Sequence, residues 1–290
     1  MRFSPAGGAP SPKVRSALLC YRCGSHAPDA SQVCPACGQA LVASGALTAG
    51  ASPRRGAEGA PYRLGDLIGG RFRVEQVLGN GPLGWVMRAQ DTKLGVEVAL
   101  KSLHPHLLQA PEERDRFRRS MRMARKVSHP NLLRVYEEGE DAGRLYFTAQ
   151  FIEGKSLRAL LDERRESAQP FTLTEAQPLL QQMAQALDAI HVALTHGDFK
   201  PENVLLVPDV LKLTDVGLGG AMPTLPFVQA QRQARRDHYF APEASDIDED
   251  EKLEATADVY SLAVVMGEML SGRTPADGAV PELSQLVPSL

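Results

Sequence analysis

Four cysteines in 290 residues are too few to staple a secreted disulfide scaffold, and no basic-then-apolar signal segment opens the chain. A reducing, cytoplasmic setting is the expectation. Charge of one sign is lacking too. With 32 basic residues against 35 acidic, the net charge of −3 gives no global pull toward nucleic acid or an anionic lipid surface. Long hydrophobic runs are also missing. The most apolar stretch, Val259 to Leu270, is broken by Ser261, Gly267 and Glu268 and falls short of the ~18–20 residues that a bilayer span requires. No membrane segment is therefore expected within 1–290. What is present is 43% hydrophobic and 23% charged, too apolar for a disordered chain, and one or two globular domains follow.

Composition divides the chain. Residues 1–17 and 42–63 are rich in Pro, Gly, Ser and Ala and read as a flexible N-terminus and a linker. Between them, 18–41 holds every cysteine and must be a small separate unit. Through Arg63 there are seven basic residues against two acidic, and afterwards 25 against 33, so the two parts differ electrostatically. Residues 64–152 carry short β-branched runs, Arg71 to Val77, Gly84 to Ala89, Glu97 to Leu103, Leu133 to Glu137 and Leu145 to Phe151, which read as strands. One helix interrupts them, Pro111 to Val127, with Pro at its first turn and Glu112 and Glu113 behind it. From 153 to 290 the apolar residues recur at helical spacing, as in Leu179, Leu180, Met183, Leu187 and Ile190. The fold class is α+β, a sheet-rich part followed by a helix-rich part.

Cys20-Tyr21-Arg22-Cys23 and Cys34-Pro35-Ala36-Cys37 form two C-x2-C pairs ten residues apart, each followed by glycine. Two intervening residues let both thiolates of a pair face one tetrahedral ion at ~2.3 Å. A thioredoxin-like redox site would use a single pair on a βαβ unit, and here there are two without one. The segment resembles a short zinc ribbon with Cys20, Cys23, Cys34 and Cys37 holding structural Zn²⁺, and four protein ligands leave no open position for catalysis.

Gly79-Asn80-Gly81-Pro82-Leu83-Gly84-Trp85-Val86 is a G-x-G-x-x-G-x-V loop between two predicted strands. Alone it is a weak signal. It is followed in order by Val98-Ala99-Leu100-Lys101, His129-Pro130-Asn131, His196-Gly197-Asp198-Phe199-Lys200-Pro201-Glu202-Asn203, Asp215-Val216-Gly217, Ala241-Pro242-Glu243 and Asp258-Val259-Tyr260-Ser261. Together these resemble the bacterial Hanks-type, eukaryotic-like serine/threonine protein kinases, from about Leu64 onward. The resemblance implies a bilobal kinase fold that uses ATP and Mg²⁺. It implies that Gly79, Gly81 and Gly84 cover the phosphates, that Lys101 holds the α- and β-phosphates, and that Asn203 and Asp215 hold Mg²⁺. Asp198 would orient the acceptor hydroxyl and Lys200 neutralise the γ-phosphate. Val86, Ala99 and Leu205 would sandwich adenine, with backbone hydrogen bonds from Gln150 and Ile152 and small Ala149 at the gatekeeper position.

The sequence also departs from that family. Ser120 stands where the family has the Glu that pairs with the strand lysine, and Glu113, about two turns away, is too far to replace it. Gly197 precedes Asp198 where many members have Arg. Thr224 is the only Ser or Thr between Gly217 and Ala241, and Arg236 stands where the family has a Thr that hydrogen-bonds the catalytic Asp and Lys. These departures imply weak activity with a mobile Lys101, or a nucleotide-binding pseudokinase that acts as a signalling scaffold. Small-molecule phosphotransfer is argued against by Ala241-Pro242-Glu243. Few residues follow Asp258, so the helical lobe is expected to be incomplete. Partners are expected to be a protein substrate or signalling protein. The basic density of 111–127 reads as a solvated face or as a dock for an acidic partner such as the Asp246 to Glu251 run of another copy.

Overall fold

The computed structural model describes residues 17–19, 26–28, 59–207, 210–222, 224–233, 237–245 and 253–275. The four cysteines, Arg236 and the acidic run 246–251 lie outside these residues. Strands β1 (Ala17–Leu19) and β2 (His26–Pro28) pair antiparallel on either side of the first C-x2-C pair.

The sheet-rich part is a six-stranded antiparallel sheet. Its strands are β3 (Leu67–Ile68), β4 (Phe72–Gly81), β5 (Gly84–Asp91), β6 (Val96–Leu103), and, after helix α1 (Pro111–Ala124), β7 (Val135–Asp141) and β8 (Arg144–Gln150). The spatial order is β3-β4-β5-β6-β8-β7. Period-two alternation decides what each face does. Val98 and Leu100 of β6 join Phe72, Val74, Trp85, Met87 and Tyr146 in a core on one face, which Tyr62 also enters. Ala99 and Lys101 point to the other face and remain half-buried. α1 ends at Ala124, three residues short of the expected Val127, and buries Phe117, Met121 and Ala124 in the larger core shared with the helical part.

The helical part begins with β9 (Lys155–Ser156), α2 (Leu157–Glu166) and α3 (Leu173–His191). It continues through the hairpin β10 (Val204–Val207) and β11 (Val210–Leu213), α4 (Thr224–Gln233) and α5 (Ala255–Ser271). Thr172 caps α3 and receives Glu175 in return, the reciprocal arrangement that satisfies exposed amides at a helix start. The two parts are fastened at His129-Pro130-Asn131. The Asn131 amide donates to Gln182 Oε1 of α3 at 2.7 Å and to the Leu211 carbonyl at 3.0 Å, the Leu133 N–H donates to the Leu213 carbonyl at 2.8 Å, and the Leu213 N–H donates to the Asn131 carbonyl at 2.8 Å.

Candidate active site

The β4–β5 hairpin carries the glycine loop over the cleft. A Cβ at Gly79 would meet nothing within 4 Å, so the protein itself leaves that space open. Gly84 is different: a Cβ there would lie 2.1 Å from the Ser102 carbonyl oxygen, so this glycine lets β5 lie flat on β6. The loop tip is held by His104, whose Nε2 is 3.1 Å from the Gly81 carbonyl. Burial pushes the His104 pKa down, which keeps the ring neutral.

Lys101 projects from β6 and places Nζ 2.5 Å from Asp215 Oδ2. Asp215 follows β11 with φ +59°, a left-handed conformation uncommon outside glycine. Ser120 of α1 faces the same turn, and its hydroxyl donates to the Gly217 carbonyl at 2.8 Å. The expected helix position therefore meets the expected motif. Lys101 is thus paired in the structure with Asp215 and not with a residue of α1. Glu113 is occupied at the start of α1, where it accepts from the backbone of Gln109 and Ala110 at 2.7 and 2.9 Å.

Asp198, Lys200 and Asn203 sit on the loop before β10, and all three are buried. Lys200 Nζ donates to both Asp198 oxygens at 2.6 Å. Burial pulls the Lys200 pKa below the ordinary lysine value against the attraction of Asp198. The Asn203 amide donates to the Asp198 carbonyl at 2.8 Å and to its Oδ2 at 3.1 Å. The loop is anchored from below by Asp258 of α5, which is 1% exposed. Its carboxylate accepts from the backbone N–H of His196 at 2.7 Å and of Gly197 at 2.9 Å, and lies 2.9 Å from His191 Nε2. His196 accepts the Asp198 N–H on Nδ1 at 3.3 Å, so its other nitrogen carries the proton donated to the Thr214 carbonyl at 2.9 Å.

Gly197 packs directly on the segment after Asp215. A Cβ at Gly197 would lie 2.6 Å from the Gly220 nitrogen, and one at Gly219 would lie 2.2 Å from the Gly197 carbonyl carbon. Val86, Ala99, Leu205, Gln150 and Ile152 are each half-buried, with Val86 and Ala99 on the sheet and Leu205 on the β10 hairpin below it. The Gln150 N–H already donates to the Arg134 carbonyl at 2.8 Å, so a hinge bond from this residue comes from its carbonyl.

Three features escaped the sequence reading. Gln231 of α4 reaches the loop before β10, with Nε2 3.0 Å from Asp198 Oδ1 and Oε1 3.1 Å from Lys200 Nζ. Arg158 of α2 joins Glu268 at 2.6 Å and Glu202 at 3.3 Å, and the Tyr239 hydroxyl donates to Glu268 at 2.5 Å. Burial holds the Tyr239 phenol far above its ordinary pKa. Part of the basic face of α1 is paired within the chain: Arg114 and Arg118 reach Glu140 at 2.8 and 2.9 Å, and Arg122 reaches Glu138 at 2.9 Å, while Arg119, Arg125 and Lys126 are exposed. Among the described residues no group of three or more His, Cys, Asp or Glu could hold a metal, and no helix is long and apolar enough to cross a membrane.

Residues 72–285 match the family described as "Protein kinase domain". The chain is 33% identical over 228 residues to "Serine/threonine-protein kinases drp72" of Corynebacterium efficiens, covering 76% of this chain and 42% of that protein. It is 34% identical over 208 residues to "Serine/threonine-protein kinase PknD" of Mycobacterium tuberculosis, covering 71% of this chain and 30% of that protein. It thus spans less than half the length of either relative. Its fold is similar to the crystal structure of the Mycobacterium tuberculosis PknI kinase domain, with a TM-score of 0.63 and 27% identity over 78% of this chain and 85% of that one. A glycine loop, a strand lysine paired with a turn aspartate and a buried Asp-Lys-Asn loop thus share one cleft between a sheet lobe and a helical lobe, and the chain belongs to the protein kinase domain family.

Proposed function

We propose that this chain is the catalytic domain of a serine/threonine protein kinase of the bacterial Hanks type, moving the γ-phosphoryl group of ATP to a protein hydroxyl. The observation that carries the reading is that Lys101 and Asp215, 114 residues apart in sequence, meet at 2.5 Å beside the Asp198, Lys200 and Asn203 loop. Phosphoryl transfer asks for positioning and charge stabilisation more than for covalent help. Lys101 would hold the α- and β-phosphates, Gly79 and Gly81 would admit them to the loop backbone, and Lys200 would offset charge on the γ-phosphate. Asp198 would orient the acceptor hydroxyl and take its proton as the new P–O bond forms and the bond to ADP breaks. Val86, Ala99 and Leu205 would enclose adenine, with the Gln150 carbonyl and the Ile152 backbone at its edge.

The donor set suits Mg²⁺. Asp215 spends only Oδ2 on Lys101 and Asn203 spends only its amide nitrogen on Asp198, leaving one hard oxygen on each. The ion would neutralise phosphate oxygens during transfer. Structural Zn²⁺ on Cys20, Cys23, Cys34 and Cys37 is supported by their spacing, and metal analysis should find one zinc per chain. We take 18–41 as that unit, 1–17 and 42–63 as its flanking segments, and 64–152 and 153–290 as the two lobes.

ATP with Mg²⁺ should raise the melting temperature, because a ligand bound only by the native state stabilises by mass action. Lys101→Met and Asp215→Asn should each reduce that shift, and γ-phosphate transfer should vanish in Asp198→Ala. A shift that neither substitution alters would place the nucleotide elsewhere. The alternative of a nucleotide-binding pseudokinase scaffold is favoured by Ser120, which holds backbone in place of a lysine. It predicts the same melting shift with no transfer by the wild type. Ser120→Glu should then raise transfer, by ~10-fold for each 1.4 kcal/mol of barrier recovered.

A further inference from the structure

Lys212 and Arg134 are cations without a counter-ion. Among the described residues neither side chain has a hydrogen-bond or ion-pair partner. Carboxylates are not scarce: acidic residues outnumber basic ones by 35 to 32, and Arg71, Arg114, Arg118, Arg122 and Arg158 all reach one. Lys212 and Arg134 line one cavity of about 250 Å³, together with Ser128, His129, Tyr136 and Gln150. No Asp or Glu is among its lining residues, and neither Lys101 nor Lys200 reaches it, so it is separate from the cleft that holds the kinase motifs.

The backbone fixes these walls. Leu211 and Leu213 of β11 are 1% and 0% exposed, and strand alternation turns Lys212 to the opposite face. Leu132 bridges to Leu213, and the Gln150 N–H donates to the Arg134 carbonyl at 2.8 Å, which draws the loop after α1, β11 and the end of β8 around one space. His129 accepts the Asn131 N–H on Nδ1 at 3.2 Å, so its Nε2 carries the ring proton. The Ser128 and Tyr136 hydroxyls have no hydrogen-bond partner among the described residues either. Donors therefore dominate the lining.

Burial pushes the Lys212 pKa below the ordinary lysine value. Two cations facing one cavity repel each other, and an anion seated between them removes that cost. A carboxylate has two oxygens, which the Arg134 fork alone could occupy. A phosphoryl group presents three oxygens on a tetrahedron and can accept from the guanidinium, the ammonium and a hydroxyl at once. Arg125 and Lys126, exposed and unpaired among the described residues, precede the lining residue Val127 and add positive potential beside the entrance.

We propose that this cavity is a binding site for a dianionic phosphoryl group, held by Arg134 and Lys212 and carried either on a protein side chain or as free phosphate. It goes beyond the kinase reading and does not depend on it.

The test is calorimetric titration of the full chain, at low salt and without nucleotide. The probes are inorganic phosphate and a short alanine peptide carrying one phosphoserine, with Ser and Glu versions of that peptide as controls. The variants are Lys212→Gln, Arg134→Gln, Arg119→Gln and Lys101→Met, with folding followed by thermal melting. Arg134 is exposed, so Arg134→Gln keeps the test open if Lys212→Gln does not fold. One phosphoryl group should bind per chain, and Lys212→Gln and Arg134→Gln should each weaken it by about 10-fold, as loss of a charged hydrogen-bond donor does. Arg119→Gln, an exposed cation of α1 outside the cavity, should change affinity by less than about 2-fold. A phosphopeptide that binds more tightly than inorganic phosphate assigns the site to a modified protein, and equal affinity assigns it to the free anion. Binding of the Glu peptide as tight as that of the phosphopeptide overturns the proposal. So does an affinity that falls in Lys101→Met but not in Lys212→Gln or Arg134→Gln, which would put the anion between the lobes, and so does the absence of binding by either phosphate probe.

Discussion

Gly79 and Gly84 belong to one loop but are required by different neighbours. The Cβ that Gly84 lacks would enter the backbone of β6, whereas the one that Gly79 lacks would enter open cleft. Gly84→Ala should therefore destabilise the fold by about 2 kcal/mol or more, since backbone cannot yield as a side-chain tip can. Gly79→Ala should leave stability within about 0.5 kcal/mol and weaken ATP binding. Urea denaturation paired with nucleotide titration separates the two, and equal loss of stability in both would contradict the assignment. The motif spacing made all three loop glycines legible in the sequence, but not this difference, because a register between neighbouring strands is invisible in a pattern. Ser120 teaches the same lesson from the other side. Its position in the helix where the family has a Glu was legible, while its bond to the Gly217 carbonyl and the pairing of Lys101 with Asp215 depended on how near distant segments come.

At the scale of elements, the strands of the sheet and helices α1 to α3 were legible because their apolar residues follow one period throughout. α4 was not. Its buried face runs Phe227, Val228, Ala230, Gln231, and the fully buried polar residue breaks the stripe that would have announced a helix. α5 hides its task in the same way, since Asp258, Ser261 and Glu268 are polar and buried on a helix that otherwise reads as core. Asp258 receives two backbone N–H groups and His191, so Asp258→Asn presents an amide N–H₂ to donors that need an acceptor. The substitution should cost about 2 kcal/mol of stability, because a buried donor left unpaired keeps its full desolvation penalty. It should also lower phosphotransfer by loosening the Asp198 loop. Denaturation curves indistinguishable from wild type would show that the loop does not depend on this anchor.

For the molecule as a whole, acid should act first where a buried carboxylate is held by a partner. Asp91, at the end of β5, is bound by the Arg71 guanidinium at 2.6 Å, and Arg71 also reaches Glu137 of β7 at 2.9 Å, so the pair clasps the far side of the sheet lobe. The Arg71 hydrogen bonds push the Asp91 pKa down to about 2, with help from the Lys93 and Leu94 amides. A depressed carboxylate pKa contributes stability that is complete above the unfolded value of about 3.9 and is lost as pH falls through the folded value. The contribution is about 2 kcal/mol, and Asp91→Asn should abolish the part of the acid transition between about pH 4 and 2. A melting-temperature profile across that window with the same slope in wild type and variant would remove Asp91 from the account.

Gly197 and Gly219 also constrain the history this chain can have. Each occupies the space that a side chain on the other would need, so a mutation that gives either position a Cβ is blocked while the opposing backbone stays where it is. An arginine before Asp198 therefore cannot be introduced here in one step. The segment from Leu218 to Ala221 would have to be rebuilt first, and until then selection sees only the damage. A library built on this chain should show that order as sign epistasis, with Gly197→Arg tolerated only on backgrounds in which the facing turn has already moved.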